Sequence, residues 1–306
     1  MLDFILNFRQ LLPIYFVLIT IVISSLCIFT LYGPRFWSII PAITTYGKSF
    51  EETSDTTGFV RAISVPKRFF RHFYVVGVAN TLLWIGFATW PEDVEPIQDF
   101  LKMMTKEDGS ALIPNTTGHL CLLLIFFHVA RRFYETHYIC IYSTSQMNIL
   151  HYILGIVHYL VLPITIVCET DGVASNHRNL IPSLYDITLF QWTAMIFFVF
   201  CNFKQFQVAK QIAETRTNSR GEIRDYRYEV CFGGMFDLVS CPHFFFEILI
   251  YVSILILIPF CHAYKFLLLF VFINQMFAAE ITHRWYAKKF GSKYPRSRKA
   301  LIPYIF

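Results

Sequence analysis

Four groups of polar side chains lie inside, or at the ends of, otherwise apolar stretches of this 306-residue chain. The first is His128, Arg131, Arg132, Glu135 and His137. Spacings of four and three put His128, Arg132 and Glu135 on one helical face. The second is Asn202, Lys204 and Gln205. The third is His243 and Glu247, one helical turn apart. The fourth is Glu280, His283 and Tyr286, spaced by three. Polar groups are costly in lipid, so they point to a site rather than to packing. Blander readings exist for single members. Arg131 and Arg132 could snorkel at an interface, and Glu247 could be an acid favoured by a helix N-terminus. The chemistry on offer is proton donation and polarisation of a carbonyl, for which His128, Glu135 and His283 are the candidates. His151 and His158, seven apart, read as hydrogen-bonded core rather than haem or metal ligands. The lone Glu280-x-x-His283 does not make a di-iron site, so no metal is expected.

These residues need helices to position them, and composition says of what kind. The chain is 55% hydrophobic, 18% aromatic and only 15% charged, with a mean hydropathy of +0.49. A soluble domain carries about a quarter charged residues. Seven apolar segments, 11–32, 73–90, 116–133, 149–168, 187–203, 243–261 and 264–282, are long enough or nearly so to cross a bilayer. The expected fold is an all-α integral membrane protein of seven transmembrane helices, one domain over 1–306, with a cytosolic tail at 283–306. A tight turn around His262, Ala263 and Tyr264 should join the last two helices. The first segment is too long for a signal h-region and lacks a cleavage site.

Loop charges orient the helices. The first, third and fifth loops and the tail are basic. The second carries Glu92, Asp93, Glu95, Asp99, Glu107 and Asp108, and the fourth has Arg178 as its cation. The positive-inside rule puts the N-terminus in a lumen and the C-terminus in the cytosol. All four polar groups then fall on the cytosolic side, where a soluble, charged co-substrate could reach them. A net charge of +5 confined to such loops argues against nucleic-acid binding. The eight cysteines are scattered, with no C-x-x-C pair and no zinc spacing, and read as small buried apolar residues. The sequon at Asn115 falls almost at the start of the third segment, where a transferase has poor access. The tail, Tyr294 to Phe306, is basic without an acid and ends in an apolar hexapeptide. It reads as folded back against a membrane surface. There is no G-x-G-x-x-G, P-loop or G-x-S-x-G, so any dinucleotide must be held by the helices and their loops.

Several stretches resemble the steroid 5α-reductase family, within it the polyprenol/polyprenal reductase branch, from about Tyr46 to the end. They are Tyr46-Gly47-Lys48, Val65-Pro66-Lys67-Arg68-Phe69-Phe70 with His72-Phe73-Tyr74, and His128-x-x-Arg131-Arg132-x-x-Glu135. Phe232-Gly233-Gly234, Ser240-x-Pro242-His243-Phe244-x-x-Glu247 and Tyr294-Pro295-x-Ser297-Arg298-Lys299-Ala300-Leu301-Ile302-Pro303 follow. The resemblance implies a seven-helix reductase of the endoplasmic reticulum with NADPH on its cytosolic side. Carried over by position, cofactor contacts fall on Asn202, Tyr228, His243, Glu247, Tyr286 and Arg298. His243 stands where the family usually has Asn. Glu229 stands where an arginine is usual, so Arg224 or Arg227 is expected to take the phosphate. The steroid branch's catalytic tyrosine position matches Val129, and its glutamate has no counterpart near Phe59, which disfavours a steroid.

Chemistry narrows the substrate that the resemblance implies. Hydride adds to a carbon–carbon double bond when the charge can delocalise, as in an α,β-unsaturated aldehyde. Polyprenal, giving dolichal for the lipid carrier of protein N-glycosylation, is therefore expected over polyprenol. The developing oxyanion needs a donor in a dry pocket, and the α carbon needs an acid. The partners are then a long-chain isoprenoid lipid and the bilayer, with no obligatory protein partner and no nucleic acid. A steroid or enoyl-thioester reductase, an isoprenylcysteine methyltransferase-like enzyme and a non-catalytic lipid-binding protein are the alternatives.

Overall fold

A long apolar run in lipid must satisfy its backbone within itself, and the helix does so. The computed structural model describes residues 8–34, 39–45, 47, 49, 62–89, 95, 99, 112–171 and 187–306. Tyr46, Lys48, Phe59, Arg178 and most of the acidic second loop lie outside them. Among the described residues the long helices are α1 (Phe8–Tyr32), α3 (Phe70–Thr89), α4 (Asn115–Tyr134), α5 (Ile149–Val167), α6 (Leu189–Glu214), α7 (Pro242–Leu257) and α8 (His262–Phe290), with a short α2 (Ile39–Thr44). α1, α3, α5 and α8 are long and apolar enough to cross a membrane by length and composition. Leu18, Ile21, Ile196 and Phe203 are more than half exposed on the outer faces, a surface suited to lipid.

Local signals set several helix ends. Thr188 and Gln191 form a capping box at the start of α6. Asn148 Oδ1 accepts the Leu150 N–H at 2.9 Å to cap α5. Pro242 occupies the first turn of α7. The α7–α8 junction differs from the expected turn. Helix α7 ends at Leu257, and His262 already opens α8. The reason is distant in sequence: the Glu169 carboxylate accepts the N–H groups of His262 and Ala263 at 3.1 and 2.8 Å. A carboxylate there satisfies two orphan donors and complements the helix dipole.

Helix α6 packs on α7, α1 on α8, α3 on both α4 and α5, and α7 on α8. The odd-numbered connections and the tail meet at one end of the bundle. There β1 (Ser64–Pro66) pairs antiparallel with β2 (Gln146–Asn148), with Val65 opposite Met147. Lys67 Nζ reaches Tyr228 Oη at 3.3 Å, and Val239 bridges Lys299 in parallel. The even connections meet at the other end, where Ile113 bridges Thr170 and Asn115 Nδ2 donates to the Asp171 carbonyl at 3.1 Å. The tail does fold back, but onto the chain itself: Ser240 N–H donates to the Lys299 carbonyl at 2.8 Å. Leu301 is fully buried against Cys241 and Ala279, whereas Tyr304 and Ile305 are exposed.

Candidate active site

Three of the four polar groups converge on one buried network. His128 of α4 places Nδ1 at 3.0 Å from Asn202 Oδ1 of α6 and Nε2 at 3.4 Å from Glu247 Oε1 of α7. Arg131 Nε donates to the same Asn202 oxygen at 2.9 Å, and its Nη2 donates to Gln205. Gln205 Nε2 donates to Glu247 Oε2 at 2.5 Å and to the His243 carbonyl at 2.9 Å. The fully buried Glu135 accepts from Arg131 on one oxygen and Arg132 on the other.

Adjacent arginines point about 100° apart on an α-helix. Glu135 still serves both, and a π turn over Glu135–Ile139 follows it, closed by the Cys140 N–H on the Glu135 carbonyl at 2.8 Å. Such turns recur at functional sites. The expected face of His128, Arg132 and Glu135 is thus divided. Arg132 and Glu135 pair, while Arg131 is the arginine that reaches towards His128. The fourth group stays outside the network. Glu280 pairs with Arg284 at 2.6 Å. His283 Nδ1 lies 2.6 Å from Ser240 Oγ, and Tyr286 stacks on Tyr294 at 5.7 Å and 5°.

Beside this network lie two adjoining cavities. The first, of about 230 Å³, opens at the end where the odd connections meet. Among the described residues its lining holds Lys67, Arg132 and Arg216 against the acid Glu229, with Tyr228, His243 and Tyr286. The second, of about 300 Å³, runs between α3, α5, α7 and α8 and is lined by Phe73, Tyr74, His158, Tyr159, Glu247 and Phe270, among others. Lys67, Arg132, Cys140, Tyr142, His243 and Phe244 line both. Burial pushes the Cys140 thiol and the Tyr142 phenol up.

The structure distributes the sequence-selected residues unevenly. Tyr228, His243 and Tyr286 line the first cavity and Glu247 the second. Asn202 lies behind, in the network. Arg298 is buried, with its guanidinium on the Phe232 and Tyr294 rings and Nη2 on the Cys231 carbonyl at 3.1 Å. Among the described residues its Nε has no hydrogen-bond partner. His128, Glu135 and His283 are not among the residues lining either cavity. Arg224 and Arg227 are engaged by Glu229 at 2.7 Å and Asp225 at 2.5 Å. Arg216 is the arginine of that loop that lines the first cavity. Val129 is wholly buried. His158 Nε2 bonds Tyr251 Oη at 2.8 Å, and no group of three or more metal-ligating residues occurs among the described residues. Sequence reasoning missed Arg216 and Tyr74 as site residues. Tyr74 had one signal, its place at the end of the Val65–Tyr74 stretch.

Comparison with known proteins bears on the same residues. Residues 184–306 match the family model described as 3-oxo-5-alpha-steroid 4-dehydrogenase. The chain is 48% identical to the polyprenal reductase of Caenorhabditis elegans over the full length of both. The chain belongs to the steroid 5α-reductase family, in its polyprenal reductase branch. The polyprenal reductases of Danio rerio and Homo sapiens are 29% and 28% identical, over 85% of both chains and over 88% of this chain and 86% of the human one. Family membership extends beyond the matched C-terminal part, so it takes in α3 and α4, which carry Tyr74, His128 and Arg132. A reductase of this family uses a nicotinamide cofactor, and the basic, tyrosine-bearing first cavity suits an anionic dinucleotide.

Proposed function

We propose that this chain is an NADPH-dependent reductase that saturates the α-isoprene double bond of polyprenal, giving dolichal for dolichol synthesis and protein N-glycosylation. The observation that carries this reading is the pair of adjoining cavities, one with Arg216 and Tyr228 at the basic end and one lined by Phe70, Phe73 and Phe270 beside its polar groups, sharing Arg132 and His243. A charged, soluble cofactor and a lipid can thereby meet across a common wall. All seven long helices cross the endoplasmic reticulum membrane, with the N-terminus lumenal and the C-terminus cytosolic, which sets the basic end of the bundle in the cytosol.

Lys67 and Arg216 would hold the cofactor's phosphates by charge, with Tyr228 and Tyr286 offering ring faces to its bases. His243, Glu247, Asn202 and Arg298 would complete the binding site. When bound, the reduced nicotinamide supplies a hydride. Phe73, Phe270 and Tyr159 would exclude water from the reacting carbon atoms and lay the isoprenoid tail between α3, α5 and α8. The Glu135 carboxylate fixes Arg132 in the shared wall, where it can strengthen the pull on a developing oxyanion.

Purified protein with NADPH and either polyprenal or polyprenol tests this by mass spectrometry of the lipid. A gain of about two mass units with polyprenal alone is expected, because conjugation supplies the sink for charge. The same gain with polyprenol alone, without an aldehyde intermediate, would refute the enal route. No gain with either lipid would refute the substrate class.

A further inference from the structure

The proposed reduction needs an acid on the wall that the lipid meets. Glu247 lines that wall but accepts from Gln205 and faces His128, so it acts as an acceptor. Tyr251 gives its hydroxyl to the His158 interaction. Tyr74 of α3 differs. It lines the lipid-facing cavity, and its phenolic oxygen accepts from Arg132 Nη2 at 2.8 Å and Nε at 3.1 Å. The Arg132 guanidinium also lies over the Tyr74 ring, 4.9 Å from its centre. Of the tyrosines on that wall, it is the one whose oxygen accepts from a guanidinium. Its other hydrogen-bond partner is the Tyr159 hydroxyl, and the phenolate left when its proton departs is met by a fixed positive charge.

Resting on the reaction proposed above, we infer that Tyr74 is the general acid of the reduction and Arg132 its positioning residue. The substrate gains a hydride at its β carbon while the π electrons move towards the aldehyde oxygen. The Tyr74 O–H bond breaks, its proton forms the new C–H bond at the α carbon, and the phenolate remains on the Arg132 fork. Water entering by the basic cavity restores the proton. Glu135 belongs to the same arrangement, since it holds the arginine that holds the phenol.

The test uses the full chain in detergent with NADPH and polyprenal. Tyr74→Phe should lower kcat by about 10²- to 10⁴-fold, the range for losing a general acid. KM for the lipid and the thermal stabilisation by NADPH should stay as in the wild type. In D₂O the wild-type product should carry one deuterium, at the α carbon. A Phe variant that turns over as fast as an active wild type overturns the assignment and leaves the reductase reading standing. A wild type that reduces no polyprenal overturns the reading and the assignment together.

Should the Phe variant fail to fold, a fluorinated tyrosine at 74 keeps the hydroxyl and the packing. The alkaline limb of kcat should then move to lower pH, and an unmoved limb overturns the assignment. The titratable and charged groups facing Tyr74 are Arg132, Tyr159, Glu247, Tyr251, Tyr142 and Lys67, none of which the fluorine alters.

Discussion

Replacing Glu135 separates an acid that positions from an acid that reacts. Its carboxylate is fully buried and carries both Arg131 and Arg132, one on each oxygen. Glu135→Ala leaves two guanidinium groups in a dry interior without their counter-ion. Removing one partner of a buried pair costs about 3–5 kcal/mol, and here one deletion breaks two pairs, so the upper half of that range applies. Against a total stability of about 5–15 kcal/mol, that is a large share, and the melting temperature should fall accordingly. Glu135→Gln keeps the shape and one carbonyl acceptor, so its cost should be about 2–3 kcal/mol. Melting curves in detergent, read by size-exclusion chromatography after heating, should rank wild type above Gln above Ala. Folded Gln protein should bind NADPH but turn over slowly, because Arg132 is no longer fixed on Tyr74. An Ala variant that melts within a degree of wild type would refute the ion-pair reasoning. A Gln variant of wild-type stability and no activity would instead make Glu135 the reacting acid.

Three further outcomes follow from other parts of the structure. Glu169→Ala should destabilise by about 1–2 kcal/mol, the worth of a helix cap, with turnover per folded molecule unchanged; a lowered kcat at unchanged melting temperature would contradict a purely capping role. Gly155→Val should raise KM for polyprenal about tenfold and leave the NADPH affinity alone. A β carbon at Gly155 would stand 2.5 Å from Phe73 Cζ, on the wall of the second cavity, and an unchanged KM would remove the lipid from that cavity. Arg298→Lys keeps the charge but loses the planar fork over Phe232 and Tyr294. The melting shift produced by NADPH should shrink as affinity falls about tenfold, and an undiminished shift would take Arg298 out of the cofactor site.

Hydropathy marks where lipid can lie, and backbone hydrogen bonding marks where a helix ends. The two differ at α6, which runs to Glu214 where the apolar segment stops at 203, and at α8, which runs to Phe290 against 282. Both extensions carry cations, Lys204 and Lys210 on one and Lys288 and Lys289 on the other, so hydropathy drops while the helix continues. The His262 turn was misplaced because its cap, Glu169, comes from a different connection. The convergence of His128, Asn202, Gln205 and Glu247 was half legible. Each was visible as a polar intrusion, but their meeting depends on α6 packing against α7 and both reaching α4. Arg216 looked like any loop cation. Its place above the Tyr228 ring, at 4.7 Å, and its bond to the Ile141 carbonyl set it on the cavity.

The arginines at 131 and 132 explain why the polar network can serve two cavities at once. On a helix an acid lies beside the residues three and four before it, so Glu135 can pair with both. Here both guanidinium groups converge on Glu135, where the chain passes from α4 into the π turn. Arg131 is then committed inward, to Asn202 and Gln205, and Arg132 outward, to Tyr74 and the shared wall. The inward half ties α4 to α6, and Gln205 carries that tie to His243 at the start of α7. The outward half holds a phenol of α3 against the lipid side. Glu135 is thus the residue that the inward and outward halves share.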